Sequence, residues 1–311
     1  PSGIESQNGY SPGAEMIFLY FYILRGDDAT VNLAAWFSFA GCVAAAASLA
    51  EVLGAEKNGQ RLAAIFTATL PSAITHATGT MNDIVVAFWI VSAILLLLQT
   101  FKGPIKPLNL VLAGMAAALA VLTKATALFY LWPMALMMIL ILLKRLGFWG
   151  MLKWGGVILV MVALVNGGYF YRNQETYGSK YYSPELEKQI NDVQNFRVLV
   201  SNITRNAALH ADLPFPRADN WLKANLETLH DQLGLDISDP RTTLKGPFYI
   251  PEVNTSEMTS GNPLHAAMIV LGFVAVVGMV LLGKEDPNIL IYTSLIFLSL
   301  ILFNYFLKWQ P

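Results

Sequence analysis

The sequence is poor in charged residues. Only 13% of its 311 residues are Asp, Glu, Lys or Arg, whereas a soluble domain usually carries about 25%. The net charge is −1 and no basic tract is present, which excludes a nucleic-acid-binding protein and a disordered chain. Hydrophobic residues make up 55% of the sequence. This composition predicts a membrane protein rather than a water-soluble enzyme.

Cysteine and histidine are scarce as well. The single cysteine, Cys42, excludes an intramolecular disulfide and a cysteine metal cluster. The four histidines show no HExxH motif and no i,i+4 pair, so no metal site is predicted. A Walker loop, a glycine-rich dinucleotide fingerprint and a GxSxG elbow are absent from the sequence as well. Any chemistry must therefore come from polar residues placed singly among apolar ones.

Long apolar runs occupy most of the sequence. About 20 helical residues cross a hydrocarbon core of roughly 30 Å. Eight runs meet this requirement, at 31–53, 61–79, 83–101, 108–124, 126–143, 154–171, 267–283 and 288–307. A shorter apolar segment, 14–24, is predicted to lie in the membrane interface. The predicted fold is an all-α polytopic membrane protein with about eight transmembrane helices and one interfacial helix.

A polar insert interrupts these runs at 172–266. It holds 9 of the 20 Lys and Arg residues and 12 of the 21 Asp and Glu residues. Apolar residues at helical spacing predict helices over 185–200 and 221–233, and hence a mainly helical cap. Eight of the other Lys and Arg residues cluster in alternate short loops, which predicts that those loops are cytoplasmic and that the insert is extracytoplasmic.

Four regions follow from this pattern. Residues 1–30 are predicted to be the end of a first outer loop with the interfacial helix, and 31–171 a six-helix transmembrane domain. The insert at 172–266 and two C-terminal transmembrane helices at 267–311 complete the chain. The sequence begins at Pro1 without Met and stops directly after an apolar run. We therefore expect a fragment that is truncated at both ends.

Asn82 and Asp83 are candidate substrate-binding residues. They open the predicted span 83–101 on its outer side. Charged and amide side chains at membrane depth are costly and mark functional sites by default. The alternative is a helix cap in which Asp83 faces the positive end of the helix dipole. The two roles are compatible with each other.

Lys124 is a second candidate. It lies within the apolar stretch 116–128, and about 24 Å of helix from Leu108 to Thr123 places its ammonium near the outer membrane boundary. One interpretation is a lysine that extends to the interface from a helical hairpin. The other is a fixed cation for a lipid phosphate or pyrophosphate, which a desolvated ammonium attracts more strongly than it does in water.

Two histidines complete the candidate set. His76 lies on the run that leads to Asn82, and His265 precedes the predicted span 267–283. Either side chain has the chemistry to hydrogen-bond a sugar or an acceptor, and either fits a simple interfacial position equally well. Both alternatives stay open at this point.

Four segments of the sequence resemble the GT-C superfamily of polytopic glycosyltransferases. They are SPGAEM at 11–16, TMNDIVVAFW at 80–89, LTKAT at 122–126 and YRNQETYGS at 171–179. The resemblance is to the branch of the protein O-mannosyltransferases, the lipid A aminoarabinose transferase and the rhizobial Rgt-type lipopolysaccharide sugar transferases. The insert segments DPRTT at 239–243 and GNPLH at 261–265 look like those of a bacterial subgroup.

This resemblance implies hexosyl or pentosyl transfer at the extracytoplasmic face of a bacterial inner (plasma) membrane, in the cell envelope. A polyprenyl-phosphate-linked sugar would be the donor substrate, with no certain cofactor, and a glycan, a lipid or a protein the acceptor. By match, Asn82 and Asp83 would line the outer cavity and Lys124 would touch the donor phosphate.

In this family an acidic residue of the first outer loop acts as general base or positions the acceptor. That loop precedes the interfacial helix, so the catalytic residue is unknown here and we expect the fragment to be inactive alone. Two alternatives differ in class: a lipid or solute transporter or flippase, and a non-catalytic membrane scaffold.

Overall fold

The computed structural model of the chain describes residues 8–179, 187–211, 216–244, 246–250 and 261–310. The described residues are predominantly helical, which confirms the all-α polytopic membrane fold. The helices are α1 (Gly13–Arg25), α2 (Leu33–Val52), α3 (Lys57–Ala68), α4 (Pro71–Thr78), α5 (Asp83–Lys102), α6 (Pro107–Thr123), α7 (Ala127–Tyr177), α8 (Phe196–His210), α9 (Pro216–Leu233), α10 (Pro263–Leu281) and α11 (Asn288–Phe306).

Five of these helices are long and apolar enough to cross a membrane, namely α2, α5, α7, α10 and α11. The 51-residue α7 contains two of the predicted spans, 126–143 and 154–171. It bends at Gly147, whose φ of +70° suits glycine, so two helices meet there end to end. The apolar α6 is shorter, with 17 residues.

The predicted single span at 61–79 is wrong. The structure has two separate helices there, α3 and α4, and α4 begins at Pro71. Proline lacks a backbone N–H and disfavours helical backbone at the residue before it, so a continuous helix through Leu70 and Pro71 would lose hydrogen bonds. Hydropathy alone does not register this interruption.

The chain forms two compact units, which are described separately. The first contains residues 1–69 and 76–184, and the second contains 70–75 and 185–311. In the first unit α5 packs against α2, α6 and α7, and α1 packs against α6 and α2. Buried alanines, including Ala113, Ala116 and Ala118, line α6, and such small residues allow close helix packing in membranes.

In the second unit α8 packs against α9 and α11, and α10 against α11. The core of the insert contains Ala208, Leu226, Phe248 and Trp309. Trp309 follows α11, and its backbone N–H donates to the carbonyl of Thr242 at 2.9 Å. Residues that follow α11 thus complete the core of the insert, while the predicted four-region division stays a prediction.

Arg205 is the polar centre of this core. Its guanidinium is fully buried and donates to the carbonyl of Ile237 at 2.8 Å, the carbonyl of Thr242 at 3.2 Å and the hydroxyl of Thr243 at 2.6 Å. Burial lowers the pKa of Arg205 to about 10, so the side chain still carries its charge at neutral pH. Arg205 therefore holds the loop at 237–243 against α8.

The predicted insert helix at 221–233 is confirmed within α9. The prediction at 185–200 is mostly wrong: residues 185 and 186 lie outside the described residues, and α8 begins only at Phe196. Asn195 sets this start, because its side-chain oxygen accepts a hydrogen bond from the backbone N–H of Val198 at 3.0 Å. A side-chain cap of this kind satisfies a backbone donor that a helix start leaves free.

Candidate active site

Asp83 and Lys124 meet at one end of the transmembrane helices of the first unit. The ammonium nitrogen of Lys124 lies 2.6 Å from a carboxylate oxygen of Asp83, and each side chain is about one-third exposed, at 36% and 35%. Asp83 is the first residue of α5 and Lys124 directly follows α6. Because a short loop joins these two packed helices, the start of one lies beside the end of the other.

The backbone turns sharply at Lys124. Its φ of −157° and ψ of 124° are extended values, which end α6 after Thr123. The backbone N–H of Lys124 still donates to Ala120, and its carbonyl accepts from Ala127, the first residue of α7. Lys124 is therefore held in a tight connection between two packed helices, and its side chain is directed to Asp83.

Asn82 bonds across to α1 instead of capping its own helix. It is the residue before α5, yet its side chain makes no cap hydrogen bond. Its amide donates to a carboxylate oxygen of Glu15 at 3.1 Å. Asp83, in the first turn of α5, is placed favourably for the helix dipole, so the dipole interpretation holds for Asp83 and the side-chain cap is not formed by Asn82.

Glu15 is a further member of this cluster, and the sequence pattern alone does not predict it as a site residue. Its helix, α1, approaches α6 closely because residue 13 is glycine: a Cβ atom there would lie 2.8 Å from the carbonyl oxygen of Leu122. The available signal is a single carboxylate in an apolar helix, two residues after Gly13. The cluster therefore contains two carboxylates, one ammonium and one amide.

The two histidines lie in different units. His76 is in the last turn of α4 and belongs to the first unit, together with Asn82, Asp83 and Lys124. His265 is buried in the first turn of α10 in the second unit. The structure therefore brings Asp83 and Lys124 into contact. The binding of a sugar or an acceptor by His76 and His265 stays a prediction.

Beside His265, Asn262 joins two separate segments of the second unit. Its side-chain oxygen accepts from the backbone N–H of Ser72 at 3.2 Å, and its amide nitrogen lies 3.3 Å from a ring nitrogen of His210. Asn262 therefore connects the start of α4 to the end of α8. Within the described part of the chain, no group of three or more His, Cys, Asp or Glu residues is placed to hold a metal ion.

Residues 25–179, about half of the chain, match the family model of the dolichyl-phosphate-mannose-protein mannosyltransferases. The matched region runs from the end of α1 to the end of α7 and contains Asp83 and Lys124. It confirms the resemblance to the GT-C superfamily. No curated protein and no solved structure matches the chain.

Proposed function

We propose that this chain uses a polyprenyl-phosphate sugar as its donor and acts at the extracytoplasmic face of a bacterial inner membrane. The chain belongs to the GT-C superfamily of membrane glycosyltransferases, which are enzymes with lipid-linked sugar donors. The observation that carries the proposal is the ion pair of Asp83 and Lys124. Both residues lie at helix ends. A translocation path would instead place such charges near the membrane midplane.

Lys124 is proposed to bind the donor phosphate. In the structure its partner is Asp83, at 2.6 Å, and a phosphate that enters the cluster would compete with this carboxylate for the ammonium. When the bond between sugar and phosphate breaks, the departing polyprenyl phosphate gains negative charge. A fixed ammonium stabilises that charge, and the effect is larger at a water-poor boundary than in bulk water.

Asp83 and Glu15 are proposed to serve the acceptor side of the cluster. A carboxylate that is displaced from Lys124 becomes available to accept a hydrogen bond from an acceptor hydroxyl. Glu15 is already held in place by the amide of Asn82. The general base that removes the hydroxyl proton is not assigned to either residue, since the family resemblance implies an acidic residue in an outer loop before α1.

The surface of α1 supports a lipid-borne donor. Its side chains Met16, Leu19 and Ile23 are each more than half exposed, whereas Ala14 and Phe18 are buried. This arrangement leaves an apolar face on the helix that carries Glu15, as in helices that lie in the membrane interface. We propose that the isoprenoid chain of the donor lies along this face while its phosphate reaches Lys124.

The test is sugar transfer from a radiolabelled polyprenyl-phosphate donor in membranes that contain the protein. A hydrogen bond to a charged group contributes roughly 1.5–3 kcal/mol, so we expect Lys124→Ala to lower transfer by about ten- to a hundredfold. Lys124→Arg keeps the charge and should retain more activity. The control is Lys153→Ala, which removes an exposed lysine of the same unit. If Lys124→Ala transfers sugar at the native rate, the proposed role of Lys124 in phosphate binding is wrong.

The face of the membrane is tested separately by cysteine labelling. In a Cys42→Ala background, single cysteines replace the exposed residues Thr80 and Lys106, which lie beside opposite ends of α5. A membrane-impermeant maleimide should label Thr80→Cys on intact cells and Lys106→Cys only after the membrane is opened. The reverse pattern would place the cluster on the cytoplasmic face.

A further inference from the structure

A cavity of about 450 Å³ lies at the end of α5 that is opposite Asp83. It is lined by the last turn of α5, by the loop to α6 and by the end of α2. The 20 residues of α5 separate it from the Asp83–Lys124 pair by about 30 Å. The cavity is therefore independent of the candidate active site.

Two lysines line this cavity. Lys102 ends α5 and Lys106 directly precedes α6. Among the residues that the structure describes, neither lysine forms an ion pair, and no carboxylate lines the cavity. The carboxylate of Glu51, near the end of α2, is 4.0 Å from Lys57 instead. The lining thus carries positive charge without a carboxylate to balance it.

Arg145 covers the groups that would otherwise repel an anion. The last carbonyl oxygens of a helix carry partial negative charge. At the end of α5 the guanidinium of Arg145 donates to the carbonyl of Thr100 at 2.7 Å and to the carbonyl of Gly103 at 2.9 Å. Gly103 lines the cavity, so Arg145 both occupies these oxygens and adds a positive charge behind the lining.

The N-terminal end of α6 adds to the positive electrostatic potential at the cavity. Lys106 and Asn109, which line the cavity, belong to the N-terminal end of α6. The positive end of that helix dipole therefore points towards the cavity. The amide of Asn109 donates to Gln99 at 3.4 Å, and Gln99 also lines the cavity. These polar side chains provide hydrogen-bonding groups beside the two ammonium groups.

We propose that this cavity binds the phosphate of an anionic phospholipid headgroup. Its volume lies within the roughly 300–1,000 Å³ of small-molecule sites, and basic pockets between transmembrane helices are a known setting for anionic headgroups. A lipid is favoured over a soluble phosphate because the cavity lies at the ends of membrane-spanning helices, where Leu108 is 65% exposed beside it for an acyl chain.

The experiment titrates the purified chain in detergent with phosphatidylglycerol and with phosphatidylcholine, and measures bound lipid by native mass spectrometry. A lysine near an anionic surface contributes a factor of about five in affinity. We therefore expect the double variant Lys102→Gln/Lys106→Gln to lose about 25-fold in affinity for phosphatidylglycerol. The double variant Lys102→Arg/Lys106→Arg should bind as the native chain does.

The matched control is Lys153→Gln, which removes the same charge at an exposed lysine outside the cavity. An unchanged affinity in the double glutamine variant, or an equal loss in Lys153→Gln, would overturn the proposal. Inorganic phosphate is titrated in a separate arm. If it binds as tightly as phosphatidylglycerol does, the assignment to a lipid is wrong. Thermal unfolding of each variant verifies that it is folded.

Discussion

The ammonium of Lys124 contacts the carboxylate of Asp83 at 2.6 Å, although 41 residues separate them along the chain. Each side chain is about one-third exposed. Ion pairs that are exposed to this degree usually contribute less than about 1 kcal/mol to folding stability. Stability alone therefore gives little reason for a lysine and an aspartate at this membrane edge, and a role in binding accounts for them better.

Asp83→Asn tests this distinction. We expect the free energy of unfolding to change by about 1 kcal/mol or less, whereas sugar transfer should fall by about tenfold or more because a charge-assisted contact is lost. Thermal unfolding in detergent and the transfer assay measure the two effects. Asp28→Asn, at an exposed aspartate that follows α1, is the control. A large loss of stability with no specific loss of transfer would favour a structural role.

Gly13→Ala tests the packing that brings Glu15 to the cluster. The added Cβ would lie 2.8 Å from the carbonyl oxygen of Leu122, so α1 must move away from α6. Overpacking of this kind costs about 1–3 kcal/mol, and we expect lower thermal stability together with lower transfer. Gly167→Ala makes the same change in α7 where no neighbouring atom lies within 4 Å, and it should leave both quantities near their native values.

The apolar runs predict where Asp83 and Lys124 meet, because consecutive spans with a short loop must be neighbours in opposite directions. The sequence does not predict the contact between Asn82 and Glu15 in the same way. That contact depends on how closely α1 approaches α6, which is decided by the missing side chain of Gly13. A hydropathy pattern does not predict packing contacts that depend on a single residue.

The same limit explains the errors in the helices. The apolar pattern at 61–79 continues through Pro71, where a new helix begins because proline lacks the backbone N–H that a helix interior needs. The pattern at 185–200 is amphipathic, yet the cap formed by Asn195 moves the start of α8 to Phe196. Periodicity predicts that a segment has two faces, whereas proline and capping side chains determine where a helix begins.

Arg205→Lys should destabilise the insert. A lysine keeps the positive charge but cannot reach the carbonyl of Ile237 and the hydroxyl of Thr243 with the fork geometry of a guanidinium. Loss of hydrogen bonds from a buried charged group costs about 1.5–3 kcal/mol for each bond. Arg197→Lys, on the same helix with one exposed bond to the carbonyl of Leu233, is the control for thermal unfolding. Equal effects of the two substitutions would contradict the prediction.

A lower pH should reduce the folding stability of the insert through the protonation of His230. Its ring is buried and lies 2.8 Å from the hydroxyl of Ser201, and burial lowers its pKa from the ordinary 6.5. Arg205 lowers this pKa further, while Asp231 and Asp236 act in the opposite direction. Because the unfolded chain takes up the proton first, the contribution to stability is complete above the unfolded pKa. It is lost as the pH falls below about 6.5 towards the folded value.

The corresponding measurement is the unfolding midpoint between about pH 7.5 and about pH 5.5, a range that spans the ordinary histidine pKa. We expect the native midpoint to fall with pH and His230→Gln to show a smaller decrease. His210, whose pKa is also lowered by burial, leaves part of the pH dependence in this variant. An identical pH dependence in the native chain and in His230→Gln would contradict the assignment.

Trp309 gives the insert an unusual dependence on the membrane part of the chain. Its indole is fully buried against Phe248 and lies over the guanidinium of Arg205, although it follows the apolar helix α11. An insert domain that is cut out at the boundaries suggested by hydropathy would lack Trp309. Its core would then contain a cavity of the size of an indole. The insert can therefore complete its core only after α11 and Trp309 have been synthesised.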